Sequence, residues 1–167
     1  MEMSMRKGLV AAFVAAVLLA GCASPNPETL KARSTVEELR AQLGQERATY
    51  PLPDGGKRLE FRGRGPNTFM VDVDASGRMV EWEQVLTEAN FRNIRAGMTA
   101  EQVLMTLGQP DEKSRFGRQA QEFWSYHFQN TQCLWFQVPF GPDGRTSSGG
   151  ATTLLPPCLA GGPGGGP

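Results

Sequence analysis

The chain writes one short helix signal twice, and any fold it adopts must accommodate both copies. "TVEELRAQLGQ", residues 35–45, and "TAEQVLMTLGQ", residues 99–109, align without a gap and agree at five of eleven positions. Each residue kind has a local task. Thr35 with Glu38, and Thr99 with Gln102, fit the capping box that satisfies backbone donors at a helix start. Leu39 and Leu43, like Val103 and Leu107, stand four apart and share a face. Gly44 and Gly108 supply a left-handed stop, and Pro110 prevents the second helix from resuming. Met98 is placed to clip onto Val103 ahead of it.

Downstream of each helix the pattern changes period. "RLEF" and "TFMVDVDASGRMVEWEQV" follow the first; "EFWSYHF" and "CLWFQVPFGPDGR" follow the second. Phe69, Val71 and Val73 alternate with Met70 and Asp72, and Leu134, Phe136, Val138 and Phe140 alternate likewise, as half-buried strands do. "DASG" and "GPDG" supply turn residues at matching places, each followed by an arginine. Pro139 points to an edge strand or a bulge. A further helix is expected over "LTEANFRNI", with Phe91 and Ile94 on one side and Gly97 ending it. A domain of about 60 residues buries little surface by itself, so the two halves are expected to pack on each other. The fold class expected is α+β: two tandem degenerate repeats, each of short helices on a small antiparallel sheet.

The ends read differently. Arg6 and Lys7 precede the uncharged run Gly8 to Ala20, too short for a comfortable membrane span of about 20 residues. "Leu19-Ala20-Gly21-Cys22" resembles the lipobox of bacterial lipoproteins, which implies cleavage before Cys22, fatty acylation of that residue, and anchorage in a bilayer facing the periplasm. Ala23 after the cysteine implies the outer membrane. An ordinary signal peptide with an incidental cysteine, or a short signal anchor, is the competing reading. The chain thus divides into a lipoprotein signal peptide (1–21), a lipidated tether (22–33), a first repeat (34–85), a second repeat (86–147) and a Gly/Pro-rich tail (148–167).

Without Arg6, Lys7 and Glu2, the 17 basic and 17 acidic side chains become 15 and 16. Nucleic-acid binding, which needs a basic face, is not expected, so two helices joined by "RAG" are not read as a DNA-binding motif. With Cys22 lipidated, Cys133 and Cys158 remain as candidate disulfide partners in an oxidising compartment; two free thiols with Cys133 buried is the alternative. No cofactor, metal or small-molecule substrate is expected.

"Ile94-Arg95-Ala96-Gly97-Met98-Thr99", then "Gln102-Val103", "Leu107-Gly108-Gln109-Pro110" and "Trp124-Ser125-Tyr126-His127-Phe128" resemble the small outer-membrane lipoproteins of the SmpA/OmlA type, called BamE. The resemblance covers roughly residues 88–146. It implies a helix pair on a three-stranded antiparallel sheet, and an accessory part in inserting β-barrels into the outer membrane or in envelope integrity. The first copy departs from it, lacking Gly-Met, the proline and Trp-x-Tyr, and the spacer between Phe116-Gly117 and Trp124 is long for the family. A tandem of such units also resembles the β-lactamase-inhibitor-protein fold in architecture, which implies the alternative function of an inhibitor-like module binding an envelope or secreted hydrolase.

Other sites have ordinary readings beside the sharp ones. Residues 72–83 match the EF-hand loop pattern through Asp72, Asp74, Ser76, Gly77 and Glu83, but strand-like "NTFMV" stands where a helix is required. His127 reads as a strand residue, with no nucleophile or carboxylate pair near it in sequence. Trp124, Tyr126 and Phe128 read as core. Trp135, Trp82 and Phe116 are the candidate partner-binding residues, because alternation can leave an aromatic on the face away from the core. Lys57, Arg58, Arg62 and Arg64 read as a solvated hairpin face.

Overall fold

The computed structural model describes residues 30–117 and 121–154. Cys22, Cys158, the signal peptide, residues 22–29 of the tether and residues 155–167 of the tail lie outside them.

Both repeated signals form the helices they encode. Helix α1 spans Val36–Leu43; the Thr35 hydroxyl accepts the Glu38 N–H, and the Glu38 carboxylate accepts the Thr35 N–H. Helix α3 spans Ala100–Leu107 and is capped the same way by Thr99 and Gln102. Gly44 and Gly108 end them at φ +87° and +79°, where any other residue would be strained.

Between them, helix α2 covers only Glu88–Phe91. The longer helix expected over "LTEANFRNI" does not form. After α2 the Asn93 and Ile94 N–H groups bond three residues back, to Asn90 and Phe91, which tightens the chain out of the α-helix. Phe91 and Ile94 are still buried together.

Strands β1 (Ala48–Pro51), β2 (Lys57–Arg62), β3 (Thr68–Val73) and β4 (Met79–Gln84) form one antiparallel sheet in sequence order. Strands β5 (Glu112–Phe116), β6 (Gln121–His127), β7 (Leu134–Phe140) and β8 (Ala151–Leu154) form a second sheet in the same order. The units correspond bond for bond at their turns. Thr35 bridges Arg78 and Thr99 bridges Arg145. Likewise the Met79 N–H donates to Ser34 and the Thr146 N–H donates to Met98, at 2.8 and 2.9 Å. The fold is α+β with two tandem sheet units.

The layers alternate. Leu39 and Leu43 of α1 pack on Leu59, Phe61, Val71, Val73 and Met79, on one face of the first sheet. Val103 and Leu107 of α3 pack on Trp124, Tyr126, Phe136, Val138 and Phe140 of the second sheet. Met70 and Tyr50, on the opposite face of the first sheet, join that second core. Helix α3 therefore lies between the two sheets, and the order through the molecule is helix, sheet, helices, sheet. Each fully buried apolar side chain contributes roughly 1.5–3 kcal/mol, so the second core, which Met70 and Tyr50 help to close, is incomplete without the first unit.

Several expectations are corrected. The second sheet has four strands, not three. The tail read from residue 148 is replaced over Ala151–Leu154 by β8, which pairs along β7. Strand β7 is interior, not an edge; Pro139 is tolerated because β8 reaches only Leu134 to Gln137. Arg58 and Arg62 are not a solvated face. Arg58 grips Asp72 with two bonds of 2.7 Å, and Arg62 pairs with Asp111 of the other unit at 2.6 Å.

Candidate protein-binding face

Each sheet has one face on its own helix and one face away from it. On the first sheet the second face is taken by α3. Arg58 Nη1 donates to the Met105 carbonyl at 3.0 Å, near the C-terminus of α3, where a cation is favoured. Glu60, with its side chain fully buried, accepts the Gln109 N–H at 2.9 Å and the Tyr50 hydroxyl at 2.8 Å through Oε2. Its Oε1 lies 3.5 Å from Arg47 Nη1. Gly108 passes so close that a Cβ there would stand 2.9 Å from the Glu60 carboxyl carbon. Burial first, and then the bond to Glu60, holds the Tyr50 hydroxyl well above its ordinary pKa. Burial does the same to Tyr126, whose hydroxyl donates to the Gly108 carbonyl at 3.2 Å. The Leu-Gly-x-Pro segment is thus clamped between a tyrosine of its own sheet and a carboxylate of the other unit.

On the second sheet no helix of the described residues packs on the equivalent face, where Phe116 is exposed and the other rings are half-buried. Register places Phe116, Phe123, His127, Trp135 and Pro139 on it, with Ser125 and Gln137 in its middle. The His127 and Trp135 rings stack at 4.9 Å and 14°, and Phe116 meets Phe123 at 5.9 Å and 60°. Phe116 is 61% exposed, and none of these side chains enters either core. Glu112 supplies the one Asp, Glu, Lys or Arg at these register positions. The buried Trp135 indole N–H has no acceptor among the described residues.

Of the three aromatics proposed from sequence, Phe116 and Trp135 share this face. Trp82 is elsewhere: it packs half-buried, edge-on to Phe69 at 5.9 Å, on the α1 side of the first sheet. Phe123, His127 and Pro139 were missed as members. The available signal was period-two spacing, Phe123 and His127 about Ser125 on one strand and Pro139 two beyond Gln137 on the next, masked by the louder Trp124-x-Tyr126-x-Phe128 series.

The remaining sites resolve into structure. Asp74 caps its own turn, accepting from the Ser76 hydroxyl and the Ser76 and Arg78 N–H groups, which hold it below the usual carboxylate range. Asp72 is committed to Arg58, so the EF-hand pattern spells a hairpin turn. Trp124 donates to Glu122 at 2.6 Å; this bond, then Arg115, keeps the Glu122 carboxyl below its ordinary pKa. Cys133, at φ +55°, is disulfide-bonded, and no second cysteine occurs among the described residues. Two grooves, of about 420 and 350 Å³, are open clefts. The larger has Arg92 and Arg95 beside Phe91, Ile94 and Phe136, with no acid, base or nucleophile in its lining.

Residues 83–133 match the family model described as the outer membrane protein assembly factor BamE domain. They run from the end of β4, through α2, α3, β5 and β6, to the residue before β7. No protein of curated function matches the chain. Among solved structures, a cysteine-rich secretory protein from Staphylococcus aureus aligns over 77% of this chain and 44% of its own, with 14% identity and a TM-score of 0.28. The chain spans less than half of that protein, and a likeness so low carries no argument about fold.

Proposed function

We infer that this chain, BamE-like over residues 83–133, is a periplasm-facing accessory of outer-membrane β-barrel assembly, acting by binding protein and not by catalysis. The observation that carries the reading is the outer face of the second sheet, aromatic and almost free of charge. Interface cores are enriched in aromatics and depleted of charge, and this face carries the exposed Phe116 beside half-buried rings with no core of its own to enter. Phe116 and Trp135 are its proposed anchors, and Trp82 marks a separate, lesser contact on the other unit. A duplicated unit, stacked on itself, rigidifies the sheet that makes contact. Cys22 tethers the molecule to the membrane through its fatty chains, and Cys158 is the proposed disulfide partner of Cys133.

The test is chemical crosslinking of the full lipidated chain in cells, followed by purification from the outer membrane, with Cys22→Ser as control. Recovery of barrel-assembly subunits from the wild type and their loss with the control supports the reading. A single hydrolase as prey would favour the inhibitor-like alternative. Wild-type chain that remains soluble, with an unmodified amino terminus, would overturn the anchor.

A further inference from the structure

The inner strand pairs, β2–β3 and β6–β7, can be superposed position by position, because the turns Asp74–Arg78 and Gly141–Arg145 carry the same backbone bonds. Met70 pairs with Glu60, and Gln137 pairs with Ser125 at the same register. One step along, Asp72 opposite Arg58 becomes Pro139 opposite Phe123. One step the other way, Thr68 opposite Arg62 becomes Trp135 opposite His127. The face that holds α3 and the segment after it on the first sheet with charged side chains, Arg58 on the Met105 carbonyl, Glu60 on the Gln109 N–H and Arg62 on Asp111, is thus rebuilt on the second sheet with rings and a proline. Even the buried Glu60 has become Ser125, satisfied by Gln137 at 3.0 Å.

The helices differ in the complementary sense. Helix α3 is apolar on two sides, with Val103 and Leu107 toward its own sheet and Leu104 half-buried against the same core. Helix α1 carries Arg40 and Ala41 where α3 has Leu104 and Met105, and its outer side, with Glu37, Glu38 and Gln42, faces solvent. The stack is therefore sealed by polarity at the α1 end, as terminal repeats are in stacked architectures, and left apolar at the β5–β8 end.

We propose that the outer face of the second sheet receives an amphipathic helix of a partner protein, crossing it as α3 crosses the first sheet and presenting an uncharged apolar stripe to Phe123, Trp135 and Pro139. The charge balance selects this occupant. An exposed surface of α1 from a second copy would set Glu37 and Glu38 against rings and the carboxylate of Glu112, none of which offers them a counter-charge, which costs desolvation without return. Three further carboxylates of the first sheet, Asp72, Glu81 and Glu83, have no equivalents here to select a basic helix. The proposal rests on the reading of this face as the partner surface and adds what the partner must look like.

The test uses the full chain in cells with a benzophenone amino acid placed singly at Phe123, Trp135 or Gln137, and at Gln42 on α1 as the reference site. Linked peptides are mapped by mass spectrometry. Expected are links to one partner segment at positions three or four residues apart, on its apolar side. Links spaced by two residues, which indicate a strand, or links to a second copy of this chain, overturn the helix while leaving the face. Links only from position 42 overturn the face as well. A paired variant, Phe123→Arg with Pro139→Asp, restores the charge pattern of the first sheet; links from Trp135 should fall about tenfold or more with the thermal midpoint unchanged. Unchanged linking in that folded variant would also overturn the proposal.

Discussion

The Glu60 carboxylate, on the second strand of one unit, accepts the backbone N–H of Gln109, just past the helix of the other, at 2.9 Å. The bond joins a residue of the unit outside the family match to the Leu-Gly-x-Pro segment of the unit within it. Glu60 has no exposed surface, and its other partners are Tyr50 and Arg47. It therefore works as the pin between the layers.

Replacing that pin should be costly. Glu60→Ala leaves the Gln109 N–H and the Tyr50 hydroxyl unpaired in a closed space, and should lower unfolding free energy by about 3 kcal/mol. Tyr50→Phe, which removes one donor, should cost about 1 kcal/mol. Urea titration of the soluble domain measures both; a loss for Glu60→Ala no greater than that for Tyr50→Phe would show that the pin is dispensable.

The two helix-ending glycines separate conformation from packing. Gly44 and Gly108 share a positive φ, but a Cβ at Gly44 meets nothing within 4 Å, whereas one at Gly108 strikes the Glu60 carboxylate. Gly44→Ala should cost about 1–3 kcal/mol, the penalty of a positive φ at extended ψ alone. Gly108→Ala should cost that plus an overpacking cost of about 1–3 kcal/mol. Equal midpoint shifts in thermal unfolding would refute the contact.

Acid should loosen the loop after α1. The Arg40 guanidinium, bonded to Glu46, lowers that carboxyl from 4.5 to about 2. A depressed carboxylate adds stability above its unfolded pKa and loses it as pH falls through the folded value. The contribution is therefore full above pH 4.5 and fades toward pH 2. In Glu46→Gln the urea midpoint should decline less over that window than in the wild type, with curves parallel above it; identical acid limbs would exclude the pairing.

Phe116 offers a test of surface against core. At 61% exposure, Phe116→Ser should move stability by no more than about 0.5 kcal/mol while weakening partner capture from outer membranes. A large stability loss with capture intact would place Phe116 in the fold and not in the interface.

The disulfide can be assigned by mass. Non-reducing digestion should join the peptide of Cys133 to that of Cys158, and Cys158→Ser should expose one titratable thiol and cost about 3 kcal/mol. A Cys133 peptide joined to Cys22 instead would overturn both the pairing and the lipidation at Cys22.

Much of the architecture was legible in the residues because it is set by neighbours. The capping boxes at Thr35 and Thr99, the glycine stops and the β3 and β7 alternations are contests among residues within a few positions of each other. The strands that went unread, β1, β5 and β8, are edge strands of four or five residues with mostly exposed or half-buried side chains; they form because a partner strand offers bonds, and their own sequence carries no period. The site was half legible for a related reason. Trp135 could be assigned to the face opposite Leu134 and Phe136, but whether that face met water or another layer depended on the stacking.

By itself the sequence determined two helix-and-sheet units, where each helix begins and stops, and which strand side is apolar, since these follow from local sterics, capping and period. Only the tertiary structure decided that α3 would be shared between two sheets, that Arg58, Glu60 and Arg62 would be spent on the junction, and that the corresponding face of the second sheet would meet no helix of the described residues. The reason is physical: a buried charge and an exposed ring are each tolerable only in the company of groups far away in the chain, and that company exists only after the layers have stacked.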